Sequence, residues 1–468
     1  MARTVSPNEM LEKLLLPDIQ ERIQAGDVAT LSEILNDWPG ADTAALVEDL
    51  LPEERLTVLR VLALRKRVDA FEHLSMDLQV QLLAAFTNEE AAEILNNMAP
   101  DDRTALLDEL PHADKDRMLT LLTPAERAVA EALLDYGTDT VGRLMTPDFL
   151  EVKQEWTVKR VLDHVRTHGR DSETLNHVYV TDAAGVLLDD LRIREVLLAP
   201  LHAHVSDIMD KQFVSLSVTD DRREAVEVFR KYDRTALPVI DGRGVLVGIV
   251  THDDVIDIAE EEATKDQQLF GGVEALDESY RATPTLTLIK KRATWLVVLF
   301  LGELLTASAM AWFDDEIAKA VVLTLFIPLI ISSGGNSGSQ AATLLIRALA
   351  VREVSLSEWF WVFRRELISG LVLGLILGTI GFLRIALWST FTDLYGPHWL
   401  LVGLTVSISL VGIVLWGTIS GAMLPFILKR LGLDPATSSA PFVATLVDVT
   451  GLILYFTVAS VLLRGTLL

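Results

Sequence analysis

Five long apolar runs, at about 294–313, 318–347, 366–390, 398–428 and 438–463, constrain this 468-residue chain more than any other feature. Each is long enough to cross a bilayer as a helix, which takes about 20 residues. Backbone polar groups in lipid must be satisfied within their own segment, so residues 294–468 are expected to form five membrane helices. The last run, Ser439 to Leu463, carries a carboxylate near its middle, Asp448. A charge at that depth costs several kcal/mol unless it faces a polar cavity, so Asp448 marks an ion or substrate route.

The flanks of the runs set an orientation. Lys290, Lys291 and Arg292 precede the first; Arg347, Arg352, Arg364 and Arg365 separate the second from the third; Lys429 and Arg430 separate the fourth from the fifth. The remaining loops hold Asp314, Asp315, Glu316 and Asp393, with Lys319 and Arg384 as their basic residues. By the positive-inside rule the basic loops are cytoplasmic, which predicts a cytoplasmic-membrane protein with its N-terminus inside and its C-terminus outside. The opening MARTVSPNEMLEKLLLPDIQ lacks a basic start followed by a long apolar stretch and so does not read as a secretory signal.

Only 10 of the 66 acidic residues and 9 of the 41 basic ones lie in 294–468, so the net charge of −25 belongs almost wholly to the first 293 residues. That argues against nucleic acid as a partner and for a soluble region that gathers cations, or one simply kept soluble by its charge. The chain has no cysteine, which excludes disulfides, zinc-thiolate sites and thiol catalysis.

Residues 1–137 show leucines at helical spacing and a repeat of 23 or 24 residues: Leu51-Pro52-Glu53-Glu54, Leu74-Ser75-Met76-Asp77, Met98-Ala99-Pro100-Asp101 and Leu122-Thr123-Pro124-Ala125. Each begins a helix, and a second short helix, such as the one opening at Thr87-Asn88-Glu89-Glu90, fills the rest of the unit. The expectation is a small helical superhelix, with a generic helical bundle as the plainer alternative.

Between 138 and 259 β-branched runs alternate with helical ones, and the sequence repeats itself. GRLMTPDFLEVKQEWTVKRVLDHV matches VSDIMDKQFVSLSVTDDRREAVEVF, with Met145 over Met209 and Phe149 over Phe213. VYVTDAAGVLLDDLRIREVL matches LPVIDGRGVLVGIVTHDDVI, with Asp182 over Asp241 and Gly185 over Gly244. Each half reads strand, helix, strand, Asp-x-x-Gly turn, strand, helix. This pattern resembles a tandem pair of CBS domains, 138–200 and 201–259, regulatory modules that often bind adenine nucleotides. Nucleotide-binding CBS repeats commonly carry Gly-x-x-Thr/Ser-x-x-Asp/Asn. The second repeat has Gly248, Thr251 and Asp254, whereas the first has Asp190 and Ile193 in place of the glycine and the hydroxyl. The resemblance implies one adenine-nucleotide site, such as one for ATP, on Thr251 and Asp254; otherwise Thr251 is a helix cap.

The connector, 260–293, continues a helix rich in acid. Asp254, Asp257, Glu261 and Glu262 share a face and repel one another unless a cation neutralises them. All-oxygen ligands suit a hard divalent ion, while a solvated acidic face is the alternative. In the second apolar run, Asn336, Ser339, Gln340 and Thr343 fall on one helical face amid glycines. In the fifth, Ala444, Asp448 and Gly451 do the same. Two such faces suit a water-filled path, and Glu303 in the first run is a second carboxylate at membrane depth.

Helical-repeat domain, CBS pair, acidic connector and five spans, with GGNSGSQ in the second span and PFVATLVDVTGL in the fifth, together resemble the MgtE family of magnesium transporters. The resemblance implies a multidomain membrane protein: an all-α N domain, an α/β CBS pair and an α-helical membrane domain. It also implies a homodimer in the lipid bilayer whose pore is lined by the second and fifth spans and closed by cytosolic Mg2+. Carried across position by position, Asp448 is the central pore carboxylate, Ala444 offers a backbone carbonyl, and Asp434 lies near the cytosolic mouth. Asn336, Ser339 and Thr343 line the pore. Asp233, Asp254, Asp257, Glu262 and Asp266 match regulatory acidic positions, whereas Lys265 stands where some relatives have an acid. Other readings stay open: transport mainly of another divalent ion such as Co2+ or Mn2+, or a membrane sensor that moves no ion. The sequence has no GxxxxGK[ST] loop, no HExxH and no nucleophile–base pair, so an enzyme is not expected.

Overall fold

A computed structural model describes residues 7–170, 172–276, 280, 283–437 and 439–467, in two compact units, Met1–Glu261 and Glu262–Leu468. Residues 277–279 and 281–282 of the expected connector lie outside the described residues.

In the first unit each repeat motif opens a helix: Pro52–Val61, Met76–Ala85, Pro100–Glu109 and Pro124–Leu134. Proline stands at the first helical position of three of them, where the missing N–H would have had no helical partner. Leu64–Glu72, Asn88–Leu95 and His112–Leu121 lie between. Thr87 caps the middle one: its hydroxyl accepts from Glu90 N at 3.2 Å, and its own N–H donates to the Glu90 carboxylate at 2.9 Å. The helix starts show a uniform period, which corrects the register of the first repeat. Its leading apolar residue is Leu50, 2% exposed, and not Leu51, 51% exposed.

The core of these repeats also holds a fully buried charge. Arg103 is fully buried, donates to Leu95 O at 3.1 Å and pairs with Glu126 at 2.6 Å. Glu126→Ala leaves that guanidinium buried without its counter-charge. It is expected to lower the stability of residues 1–261 by about 3 kcal/mol, read from the urea midpoint.

The duplicated region folds as two small sheets of identical order. Strand β1 (Glu151–Lys153) runs parallel to β2 (His177–Thr181), which is antiparallel to β3 (Leu187–Arg192). Likewise β4 (Leu216–Ser217) is parallel to β5 (Ala236–Ile240), and β5 antiparallel to β6 (Leu246–Thr251). Helices Val158–His168 and Arg222–Tyr232 make the crossovers. The Asp-x-x-Gly turns form as expected. Asp182 Oδ1 accepts from Ala184 N and Val186 N at 2.8 and 2.9 Å, Asp241 Oδ1 does the same for Arg243 N and Val245 N, and Gly185 and Gly244 take φ of +82° and +80°. The hairpins join through Leu187 N to Gly244 O and Leu246 N to Gly185 O, both 3.0 Å.

Strand pairing corrects the comparison of the two repeats by one residue. Asp189 lies opposite Val180 as Gly248 lies opposite Val239, and Arg192 opposite His177 as Thr251 lies opposite Ala236. Asp189 and Arg192, rather than Asp190 and Ile193, replace the motif glycine and hydroxyl in the first repeat.

Among its described residues the second unit contains five helices long and apolar enough to span a membrane: Thr285–Trp312 (span 1), Val321–Ala350 (span 2), Leu356–Trp388 (span 3), Gly396–Arg430 (span 4) and Ala440–Leu462 (span 5). Span 4 is the most enclosed, with half of its apolar window buried against 11% in span 1. Glycines set this packing. A Cβ at Gly417 would lie 2.4 Å from Gly334 O of span 2, and one at Gly374 of span 3 would lie 2.8 Å from Val411 Cα of span 4.

Candidate functional site

Spans 2 and 5 pack against each other beside Asp448. On span 5, Val443 and Val447 are buried in the core while Ala444 and Asp448 turn toward span 2. Gly335 faces them: a Cβ built there would lie in ordinary contact, 3.4 Å from Ala444 Cβ and 3.7 Å from Asp448 Oδ1. Gly334 and Gly338 are what let the helices approach, since a Cβ there would lie 2.7 Å from Val447 and 2.8 Å from Val443. The small residues of GGNSGSQ therefore serve packing, and the polar ones are left to a second face.

That second face is open. Ser332, Asn336, Gln340 and Thr343 are exposed along span 2, and Ser339 is half-buried. Asn336 Nδ2 donates to Ser332 Oγ at 3.4 Å, Thr343 Oγ1 donates back to Ser339 O at 2.7 Å, and Ser339 Oγ donates to Ala440 O of span 5 at 3.2 Å. By contrast Ser337, on the buried face, exchanges a 2.6 Å bond with Thr418 of span 4. Glu303 is exposed on span 1 and lies within electrostatic reach of Asp448, because span 1 crosses span 5 closely at Gly302 and Thr445. Asp434 is exposed after span 4, its carboxylate accepting from Ala436 N at 2.8 Å and starting a short 3-10 turn, Pro435–Thr437.

In the first unit a second group of acids gathers around Asp254. Its carboxylate accepts from Thr251 Oγ1 at 2.6 Å and from Thr251 N at 3.3 Å. Burial pushes Asp254 up to about 6 against those hydrogen bonds. Burial pushes Asp101, only 8% exposed, well above the usual carboxylate range, and the charges of Asp254, Asp102 and Glu173 add to it. Desolvation also raises Asp102 and Glu173, on the rim, with Glu72 and Asp254 adding to the first and Asp254 and Asp253 to the second. Sequence reasoning missed Asp101, Asp102 and Glu173; the Pro100-Asp101-Asp102 start of a repeat helix was the available signal, but nothing local linked it to Asp254.

The other acidic positions that the sequence singled out are scattered. Asp233 ends the helix Arg222–Tyr232 in a left-handed conformation, φ +48°, with its residue exposed. Asp257 is exposed, its carboxyl raised by desolvation and by Glu260 and Asp253. Glu261 is held by Arg222 through two 2.9 Å bonds, and Lys265 approaches Glu262 at 3.9 Å. Asp266 is half-buried. Among the described residues no three His, Asp or Glu side chains cluster tightly enough to hold a metal by themselves. Pairs of carboxylates with bound water suit Mg2+, which keeps much of its hydration.

Three family models match the chain: the MgtE divalent cation transporter over 327–458, the MgtE intracellular N domain over 38–139 and the CBS domain over 205–261. The cytosolic domain of the Mg2+ channel MgtE, solved in complex with ATP, is 36% identical and superposes with a TM-score of 0.50, covering 52% of this chain and 100% of that one. The soluble part of a magnesium transporter is 26% identical with a TM-score of 0.51, covering 54% of this chain and 99% of that one. Among curated proteins, the magnesium transporter MgtE of Bacillus subtilis is 26% identical over 99% of this chain and 100% of its own length. The magnesium transporter MgtE of Thermus thermophilus is 39% identical over 97% of this chain and 100% of its own length. With spans 2 and 5 joined at Asp448 and similarity running from end to end, the chain belongs to the MgtE family of magnesium transporters.

Proposed function

We propose that this chain conducts Mg2+ passively into the cell through a pore between two copies, lined by spans 2 and 5, and that cytosolic Mg2+ closes it. The observation that carries the pore is the polar stripe Ser332, Asn336, Gln340 and Thr343, exposed on span 2 beside Asp448. Such a face is untenable against lipid, so a water-filled path and a second copy are what cover it. Two Asp448 carboxylates facing one hydrated ion supply −2 against +2, which attracts the ion without holding it indefinitely. Inward flow needs no motor, since 100 mV favours a divalent cation by about 4.6 kcal/mol. The basic loops support a cytoplasmic first unit.

The test is Mg2+ uptake into proteoliposomes as free Mg2+ on the side of the first unit rises from micromolar to about 10 mM, with Co2+ and Mn2+ as competitors. Uptake that shuts off over this range supports pore and gate together; uptake that ignores it removes the gate, with Lys265 beside Glu262 the first suspect. Absence of any divalent flux favours a sensor instead. The chain's lack of cysteine supplies a direct test of the shared pore: Asn336→Cys is expected to form an oxidised dimer in membranes, whereas Ile380→Cys, exposed on span 3, is not.

The gate reading rests on the acids around Asp254. Carboxyls raised on folding stabilise the fold below their unfolded values near 4, and lose that contribution as pH rises through the folded value, about 6 for Asp254. Residues 1–261 in chelator are therefore expected to melt at lower temperature at pH 7 than at pH 4.5, and Mg2+ is expected to restore the loss at pH 7 only. A melting temperature insensitive to both would remove the acids from the gate. Adenine nucleotide is the second ligand of this unit, proposed on Thr251 and Asp254. The crowd of carboxylates there calls for it to enter with a divalent counter-ion, which ATP titration with and without Mg2+ measures.

A further inference from the structure

The end of the connector, the start of span 1 and the start of span 5 meet at one indole. Trp295 Nε1 donates to Ser439 Oγ at 3.0 Å. Ser439 is fully buried, and its oxygen also accepts from Phe442 N at 3.3 Å, capping span 5. One residue on, Ala440 O accepts from Ser339 of span 2. On the other side of the ring stands Gly272, just past the connector helix, where a Cβ would lie 2.6 Å from Trp295 Cδ1 and 3.4 Å from Pro441 Cγ. The connector's end is itself anchored. Leu269 and Phe270 pack on the membrane core, Leu276 N donates to Gln268 Oε1 at 2.7 Å, and the Lys291 ammonium donates to Ala275 O. A cavity of about 170 Å³ lined by Leu269, Gly272, Trp295 and Thr437 lies alongside, so the indole has room to shift.

We propose that Trp295 is a positioning residue of the gate. Its bond to Ser439 passes the position of the connector's end to the first turn of span 5, and from there through Ala440 and Ser339 to span 2. Neither Trp295 nor Ser439 touches the ion. This rests on the Mg2+-closed pore above. Trp295→Phe keeps an aromatic ring but removes the N–H together with the five-membered half of the indole, and Ser439→Ala removes the acceptor with the cap. A net hydrogen bond lost from the closed state raises the Mg2+ needed for closure by roughly 2- to 10-fold.

Uptake by the full-length protein in proteoliposomes is measured against free Mg2+ on the side of the first unit for wild type, Trp295→Phe, Ser439→Ala and the double variant. The expected result is unchanged uptake at micromolar Mg2+ and a half-closing concentration raised 2- to 10-fold in each single variant, with the double no further than the larger single. Uptake lowered equally at every Mg2+ concentration, with closure unmoved, would make the contact merely structural and overturn the proposal. So would shifts that multiply in the double variant. A wild type that ignores Mg2+ overturns both the gate and this coupling, while a wild type that closes beside an unchanged Trp295→Phe overturns the coupling alone. Thiol labelling gives an independent reading in this cysteine-free chain. Thr437→Cys, in the cavity wall, is expected to react with a maleimide at different rates in Mg2+ and in chelator, and to lose that difference when Trp295→Phe is added. A difference that survives Trp295→Phe would overturn the coupling even if uptake were lost.

Discussion

Asp448→Ala is expected to lower Mg2+ uptake by roughly 100-fold or more while leaving the protein folded. The size follows from electrostatics: two unit charges 4 Å apart interact by about 4 kcal/mol at an effective dielectric of 20, and each 1.4 kcal/mol is tenfold. A divalent ion doubles the interaction, and water left around the ion takes part of it back. Packing does not compete with this explanation, because Asp448 contributes its carboxylate to the half-buried side of span 5 while Val443 and Val447 carry the buried side. Asp448→Asn separates the two contributions: it keeps the shape, loses the charge, and is expected to fail nearly as badly as alanine. Asp448→Glu keeps the charge but carries the carboxylate one methylene further from the span 5 backbone, so partial activity is expected. An Asp448→Asn protein retaining more than half of wild-type uptake would remove the carboxylate from the route and make Glu303 the next residue to change.

The parts of this molecule that the sequence revealed are those built from local chemistry. Proline and Thr-x-x-Glu caps announce where the repeat helices begin, and the Asp-x-x-Gly turns announce the hairpins, because each signal acts on backbone groups within four residues. Where the signal was one apolar residue among several, the register slipped, to Leu51 for Leu50; Asp190 for Asp189 was a slip against the 59-residue offset that Asp182 and Asp241 set. Asp448 was legible because a charge amid apolar residues needs a reason wherever the helix packs. The acids around Asp254 were not, since Asp101 and Glu173 reach it from distant parts of the chain. Nor was the central place of span 4, whose apolar residues surround the helix and leave no stripe to read. The four-residue spacing of Gly370, Gly374 and Gly378, and of Gly417 and Gly421, was the one available sign.

Those glycines carry the second large effect. Gly421→Ala is expected to abolish uptake by preventing spans 2 and 4 from docking, with loss of monodisperse protein in detergent and a large fall in melting temperature. A Cβ at Gly421 would lie 2.0 Å from Gly338 O and 2.9 Å from Gly338 Cα, so the obstacle is backbone and no rotamer relieves it. Overpacking of a core by one methylene typically costs about 1–3 kcal/mol. Here the cost lies at the upper end or above, since span 2 is fixed on both sides, by span 4 at Gly334 and Gly338 and by span 5 at the same residues and at Gly335. Gly412→Ala, on the same span, places its Cβ 3.1 Å from the tip of the Leu454 side chain, which can turn aside, and is expected to be tolerated. The contrast separates a backbone contact from a general intolerance of span 4 to change. If Gly421→Ala folds and transports like Gly412→Ala, then spans 2 and 4 do not approach as closely as their backbones do here. In that event the placement of the polar stripe beside Asp448, which depends on how span 2 is held, would have to be redrawn with it.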